Sequence, residues 1–286
     1  MVLLFIYPLF EKDGRFFITV RTNIENYLIF QPSKLRAKRI QKGLLNKINP
    51  QRFINSDGIK LYGWFIKPKK DMPVILHLHG QAESILSHQD IALYCLEKGF
   101  GLFMLSYRGH YKSSGKASEQ GIYNDAQSAI LQLKKLGVDK DKIIVWGHSL
   151  GTVAAVETAK NNNNVLGLIL QSPIKEIKSA AIDVYNFYCK RLYLDLLALF
   201  AKKHVQNMDF IQKFDNMEKI RHVKCPILIL HSQFDKISPC ENSMELAKQN
   251  PHAQLYISQL GNHWDVSWCL ERVFEFTESL NEKVFS

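Results

Sequence analysis

From about residue 53 onward, short apolar runs alternate with longer stretches of helical periodicity. That order predicts parallel strands joined by crossover helices, with helices covering both faces of one sheet. PVILHLH at 73–79 is continuously apolar and rich in β-branched residues, as a strand buried on both faces must be. FGLFMLSY (100–107), KIIVWG (142–147), VLGLILQS (165–172), PILILHS (226–232) and QLYISQ (254–259) repeat that signature. RFINS and KLYGWFI flank Asp57-Gly58, so the sheet is predicted to open with an antiparallel hairpin. Helices are expected over 85–98, over 119–136 behind a Ser118 cap, and from about Trp264 to Leu280. Residues 173–222 break the alternation with helical, Tyr-, Phe- and Leu-rich sequence where a short crossover would suffice, which reads as a cap over a site. The pattern thus predicts an α/β fold: a mostly parallel central sheet flanked by helices over 53–286, with a helical cap insertion at about 173–222.

Composition adds a bound on the function class. The 286 residues, 46% hydrophobic and 22% charged with 15 Gly and 9 Pro, exclude collagen-like, low-complexity and disordered chains. The five cysteines (Cys95, Cys189, Cys225, Cys240, Cys269) are widely spaced with no Cys-x-x-Cys or Cys/His spacing, so reduced thiols, a cytoplasmic setting and no metal site are expected.

The net charge of +10 is concentrated at one end. Residues 32–52 carry Lys34, Arg36, Lys38, Arg39, Lys42, Lys47 and Arg52 without an acidic residue. Ahead of them, MVLLFIYPLF is apolar but about half the ~20 residues needed to span a bilayer, and it lacks the basic start and cleavage site of a signal peptide. One reading of 32–52 is a solvated basic linker. The other is a tether to an anionic membrane surface, in which a short apolar segment and a polybasic patch act together. Nucleic acid is not expected as a partner, because no aromatic interleaving or reader motif accompanies the charge.

The chemistry concentrates at Gly147-His148-Ser149-Leu150-Gly151, a G-x-S-x-G sequence set between an apolar strand and the helical pattern TVAAVETAK. That context is what a nucleophile elbow needs: a sharp turn that holds the serine in a strained conformation, with small flanking residues so that strand and helix approach closely. Gly147 and Gly151 supply them. A nucleophilic serine needs a base, and the base an orienting carboxylate. His263 lies in Gly261-Asn262-His263-Trp264, between the last strand and the terminal helix, where a loop can return to the elbow. His77 and His79 sit on a core strand, His148 points along the elbow, and His110 is a loop residue. Asp235 follows the strand PILILHS in the loop HSQFDKISP, with Asp265 as its rival, while Asp209 and Asp215 belong to the insertion. For the developing oxyanion, the backbone N–H groups of Leu150, at a helix start, and of Gln81, in the turn His79-Gly80-Gln81, are the candidate donors.

These segments carry a resemblance. NYLIFQPSKL (26–35), SDGIKLYGWFI (56–66), LHLHGQAES (76–84), YRGHYKSSGKASEQGIYNDA (107–126), WGHSLGT (146–152), KCPILILHSQFDKISP (224–239) and GNHWD (261–265) resemble the α/β-hydrolase superfamily, and within it the single-domain ABHD-type serine hydrolases. The resemblance implies a triad of Ser149, Asp235 and His263 and an oxyanion hole completed by Gln81. It also implies an esterase, lipase, thioesterase or depalmitoylase activity, with membrane association through the N-terminus in several members. Two residues depart from the family pattern: Thr152 stands after the elbow where glycine is usual, and Ser232 replaces the glycine before the acid loop.

The implied reaction is two-step acyl transfer with no cofactor and no metal. The partner is a small-molecule or lipid-like acyl substrate, whose acyl chain the apolar residues Tyr185, Phe187, Tyr188, Leu192, Tyr193, Leu196, Leu197 and Phe200 would favour. Alternatives are a serine peptidase or a non-catalytic binding protein on a hydrolase fold. A haloalkane or epoxide enzyme of the same fold would carry aspartate where Ser149 stands.

Overall fold

The computed structural model describes residues 22–23, 25–27, 29–31, 40–191, 205–207 and 209–285. Eight strands form one sheet: β1 (Asn49–Ile54), β2 (Lys60–Ile66), β3 (Val74–Leu78), β4 (Gly101–Ser106), β5 (Ile143–His148), β6 (Gly167–Gln171), β7 (Ile227–Ser232) and β8 (Ala253–Ser258). They lie in the order β1-β2-β4-β3-β5-β6-β7-β8. β1 and β2 form an antiparallel hairpin, β2 joins β4 antiparallel, and every later pairing is parallel. The hairpin turn is wider than Asp57-Gly58 alone. The Asn55 amide donates to the Ile59 carbonyl at 3.0 Å, and the Asn55 side chain accepts from the amides of Asp57 and Ile59, so the loop closes around Asn55.

Side-chain alternation along the buried strands builds two cores. Ile143 and Val145 of β5 face α2 (Glu119–Lys135) and α3 (Gly151–Asn161), with Ile122, Ala126, Ile130, Val153 and Ala154. Ile144 and Trp146 face the other way, onto α1 (Gln89–Lys98) and α7 (Leu270–Phe285), with Ile91, Cys95, Val273 and Phe274. Both faces of the sheet are therefore covered, which is why its strands read as unbroken apolar runs.

Two helix starts differ from the sequence expectation, each because side chains near the boundary bond elsewhere. α1 begins at Gln89 rather than 85, behind a turn in which Ser87 Oγ accepts from Ser84 N and Ser84 Oγ from Leu86 N, both at 3.2 Å. α7 begins at Leu270 rather than Trp264: Asn262 accepts from the amides of Trp264 and Asp265, and Asp265 accepts from Ser267, so turn chemistry holds the chain out of the helix until residue 267. Ser118 does cap α2, accepting from Gly121 N at 3.1 Å.

After β7 comes α6 (Glu241–Ala247). Of the insertion, Ile177–Arg191 form α4 and Asn216–Lys219 form α5, while 192–204 and 208 lie outside the described residues. So do the apolar start 1–10 and the basic residues 32–39. The described part of the N-terminal segment packs on the body of the protein. Phe30 is 1% exposed and meets Phe214 edge-on at 6.0 Å, and the buried Glu25 carboxylate accepts from the amides of Ile211 and Gln212. Among the described residues, no helix is long and apolar enough to cross a membrane.

Candidate active site

β3 is hydrogen-bonded to β4 on one side and to β5 on the other, although the chain visits the three in the order β3, β4, β5. The helices that follow β3 and β5 cover opposite faces of the sheet, the arrangement in which open α/β sheets bind ligands beyond the carboxyl ends of the strands. Leu78 is in register with Gly147, so the His79-Gly80-Gln81 turn and the elbow emerge side by side. Ser149 sits at the tip of the elbow with φ +49°, a left-handed conformation that a non-glycine residue adopts only where its surroundings enforce it. Three contacts do so: its amide donates to the Gln171 carbonyl at 2.9 Å, and its carbonyl accepts from Thr152 N at 3.0 Å and from Thr152 Oγ1 at 2.6 Å. A Cβ added to Gly147 would come within 2.6 Å of the Gly151 carbonyl oxygen, and one on Gly80 would lie 3.2 Å from Ser149 Cβ. Helix, strand and turn close on the serine only because both positions lack a side chain.

The loop after β8 returns to this point. His263 Nε2 lies 3.0 Å from Ser149 Oγ, and His263 Nδ1 lies 2.7 Å from Asp235 Oδ2. The Asp235 carboxylate, in the loop after β7, is buried and held by three donors: Oδ1 accepts from the amides of Ile237 and Ser238 at 2.9 Å each and Oδ2 from His263, while His231 Nε2, which donates to the Ser238 carbonyl at 2.8 Å, stands 3.3 Å from Oδ2. Burial by itself would raise this carboxyl. The neighbouring His231 and His263 outweigh it and hold the group well below the usual carboxylate range. Asp265 is placed differently, its carboxylate occupied by Ser267 N and Oγ at 2.9 and 2.6 Å. Asp215 caps α5, and Asp209 pairs with Lys213 in solvent. Leu150 opens α3, whose N-terminal dipole favours negative charge, and Gln81 follows Gly80 in the turn that abuts Ser149.

Behind the elbow lies a buried polar cluster that the sequence did not disclose. Glu83 Oε2 accepts from Gly80 N at 2.6 Å and faces His88 Nε2 at 2.8 Å and His148 Nδ1 at 3.0 Å. Glu83, His88 and His148 bring three ligand-type atoms within 4.8 Å of one another, the one such group among the described residues. The shared Glu83 oxygen lies at hydrogen-bond distance from Gly80 N and from both imidazoles. His77 lies on β3 against Trp146, ring centroids 5.4 Å apart, and His79 Nδ1 donates to the Gly80 carbonyl, with burial pulling His79 down to about 3. His77 thus packs within the sheet, and only His79 belongs to the turn. His110 Nδ1 faces the Glu83 carbonyl at 3.3 Å from the loop after β4.

The two departures from the family pattern each make a hydrogen bond that glycine could not. Thr152 Oγ1 bridges the Ser149 carbonyl to the Ile174 amide, fastening the elbow to the segment after β6. Ser232 Oγ donates to the Gly261 carbonyl at 3.0 Å and accepts from Phe234 N at 3.1 Å, fastening the loop that carries Asp235 to the loop that carries His263. His231 directly follows the apolar run ILIL within its strand, a signal that could have marked it; Glu83 offered another, a charge three residues past Gly80.

A family described as "Serine aminopeptidase, S33" matches residues 69–222. The Arabidopsis thaliana alpha/beta hydrolase domain-containing protein WAV2 is 30% identical over 255 residues, covering 84% of this chain and 80% of that protein. The Danio rerio lysophosphatidylserine lipase ABHD12 is 30% identical over 190 residues, which cover 64% of this chain but only 49% of the lipase. Among solved structures, an esterase of Pyrococcus furiosus, Pf2001, superimposes with a TM-score of 0.69 at 21% identity over 87% of this chain and 96% of its own. An alpha-beta hydrolase of Vibrio vulnificus reaches 0.71 at 20% identity over 94% and 95%.

Proposed function

Because this chain belongs to the α/β-hydrolase superfamily, we propose that it is a serine hydrolase that cleaves carboxylic esters or thioesters of apolar acyl groups. The observation that carries this reading is the unbroken line from Asp235 through His263 to Ser149, 2.7 and 3.0 Å long, ending on a serine with φ +49°. Asp235 accepts the Nδ1 hydrogen and so leaves the Nε2 lone pair of His263 facing the hydroxyl. His263 takes the Ser149 proton as Oγ attacks the carbonyl carbon, and the developing oxyanion is met by the amides of Leu150 and Gln81. The same proton goes to the departing alcohol or thiol, and water, deprotonated by His263, then releases the acid and frees Ser149.

An apolar substrate is supported by the side chains around the site. Phe234, Leu260 and Trp264, on the loops that carry Asp235 and His263, are 57%, 68% and 60% exposed. The name of the lysophosphatidylserine lipase relative points the same way. In the cap, the side chain of Phe187 is half-buried, and 192–200 fall outside the described residues. A fluorophosphonate probe should label the wild-type protein at Ser149, and a p-nitrophenyl ester series should favour medium or long acyl chains over acetate. Faster turnover of aminoacyl arylamides than of every ester and thioester would replace this reading with a peptidase.

A membrane surface is proposed as the setting. Lys42, Lys47 and Arg52, the described members of the basic stretch, are exposed, and each such charge contributes roughly 1 kcal/mol against an anionic leaflet. Flotation with anionic vesicles at low salt should carry the full chain up, and deletion of residues 1–20 should weaken it while sparing the Glu25 contacts. If the full chain stays in the soluble fraction, 32–52 is a solvated linker.

A further inference from the structure

His148 stands between two acceptors. Its Nδ1 lies 3.0 Å from Glu83 Oε2, and its Nε2 lies 2.8 Å from the main-chain carbonyl oxygen of His263. A peptide carbonyl has no hydrogen to give, so the Nε2 contact requires a hydrogen on Nε2. The Nδ1 contact needs one more, and its source is either the imidazole or the carboxyl. Glu83 Oε2 already accepts from Gly80 N at 2.6 Å and meets His88 Nε2 at 2.8 Å, an environment that favours the carboxylate anion. The second hydrogen therefore belongs on Nδ1, and an imidazole with hydrogens on both nitrogens is a cation.

The surroundings agree with that count. Full burial pulls His148 down, but the Glu83 charge, the two hydrogen bonds and the more distant Asp235 outweigh it and hold the group above its ordinary value. Glu83 is correspondingly held well below the usual carboxylate range by His88 and His148 despite its own burial. The remaining groups facing the ring are His88 and His263, with centroids 5.3 and 5.4 Å away, and His77, which is kept neutral by burial.

We propose that His148 is a positioning residue that stays an imidazolium in the folded protein and, by donating from both nitrogens, locks the elbow to the Gly80 turn on one side and to the peptide of His263 on the other. The three segments so joined are those that carry the nucleophile, one oxyanion amide and the base, and the kinetic part of this inference rests on those assignments. Loss of the Nδ1 or Nε2 hydrogen turns a bond into two facing lone pairs, and the His263 loop or the Gly80 turn loses its tie. The sign follows from the raised value: the lock is intact below it and is lost as pH rises through it, above the ordinary imidazole range.

The protonation state can be read without activity. Nitrogen-detected NMR of the full chain with labelled histidine should show His148, identified by the signal missing from His148→Gln, with both nitrogens protonated at pH 7. The Glu83→Gln protein should lose the second hydrogen at a lower pH than wild type. A neutral His148 at pH 7 in the wild type overturns the proposal, whatever the variants do.

For the kinetic role, His148→Gln should lower kcat on a short p-nitrophenyl ester by on the order of 10²-fold, the scale of a sub-ångström to 1 Å misplacement, with KM little changed. Glu83→Gln should shift the alkaline limb of kcat downward in pH, and His148→Arg, which keeps two-sided donation without titrating, should recover activity relative to His148→Gln and remove the limb. If the variants lower only the melting temperature while the alkaline limb stays at the wild-type pH, the residue is merely structural and the proposal falls. Failure of the wild type to react with a fluorophosphonate would instead remove the proposed function and leave the NMR result standing.

Discussion

Two carboxylate–imidazole pairs lie back to back in this protein, Asp235 with His263 and Glu83 with His148, their imidazoles 5.4 Å apart. Both carboxylates are buried, both are held ionised by converging donors, and each faces an Nδ1 at 2.7 or 3.0 Å. The difference is the atom beyond Nε2. For His263 it is a hydroxyl, which can give its own hydrogen, so the ring is free to keep a lone pair there, as the proposed base must. For His148 it is a carbonyl, which can only accept, so the ring must give. The same pair of residue types thus becomes a proton acceptor in one place and a fixed tie in the other, according to one oxygen.

Breaking the front pair should cost most. Ser149→Ala should keep the fold and reduce hydrolysis by on the order of 10⁶-fold, with probe labelling abolished; labelling of the alanine protein at the wild-type rate would remove Ser149 from the chemistry. Asp235→Asn should cost on the order of 10⁴ in kcat, because the amide no longer selects the tautomer. The low value of Asp235 adds a pH test. Its hold on His263 depends on the ionised form, which persists through the mildly acidic range and is lost only as pH falls through its depressed folded value. A wild-type acid limb of kcat/KM should therefore move little in Glu83→Gln, whereas the alkaline limb should move.

Smaller effects separate the ties from the reacting groups. Ser232→Gly removes the bond between the acid and base loops and Thr152→Gly the bond across the elbow. Each should lower stability by about 1 kcal/mol, visible in thermal denaturation, with hydrolysis reduced by no more than about 10-fold if these residues only hold the site in shape. Smallest of all should be Asp265→Asn, within about twofold in kcat, since its carboxylate serves the turn at Ser267. A loss exceeding that of Asp235→Asn would transfer the orienting role to Asp265.

The sequence by itself determined the layer architecture and the place of the proposed nucleophile. Continuous apolar runs such as PVILHLH and KIIVWG can be buried only on both faces, and G-x-S-x-G between such a run and a helical pattern leaves few other readings. That Asp235 and His263 would approach Ser149 was legible from their places after successive strands, because a parallel sheet delivers successive strand ends to one edge. What local pattern could not supply was anything that depends on side chains meeting across the sheet. Glu83, His88 and His148 come together from a turn, a helix start and a strand end, and His231 reaches Asp235 through packing around β7. The helix starts at Gln89 and Leu270 were also missed, since the hydrogen bonds that delay them compete locally with helix formation and leave no mark on hydrophobic period. Only the tertiary structure decided which histidine gives and which accepts, because that depends on whether the oxygen facing each ring carries a hydrogen, and that oxygen is brought there by a different part of the chain.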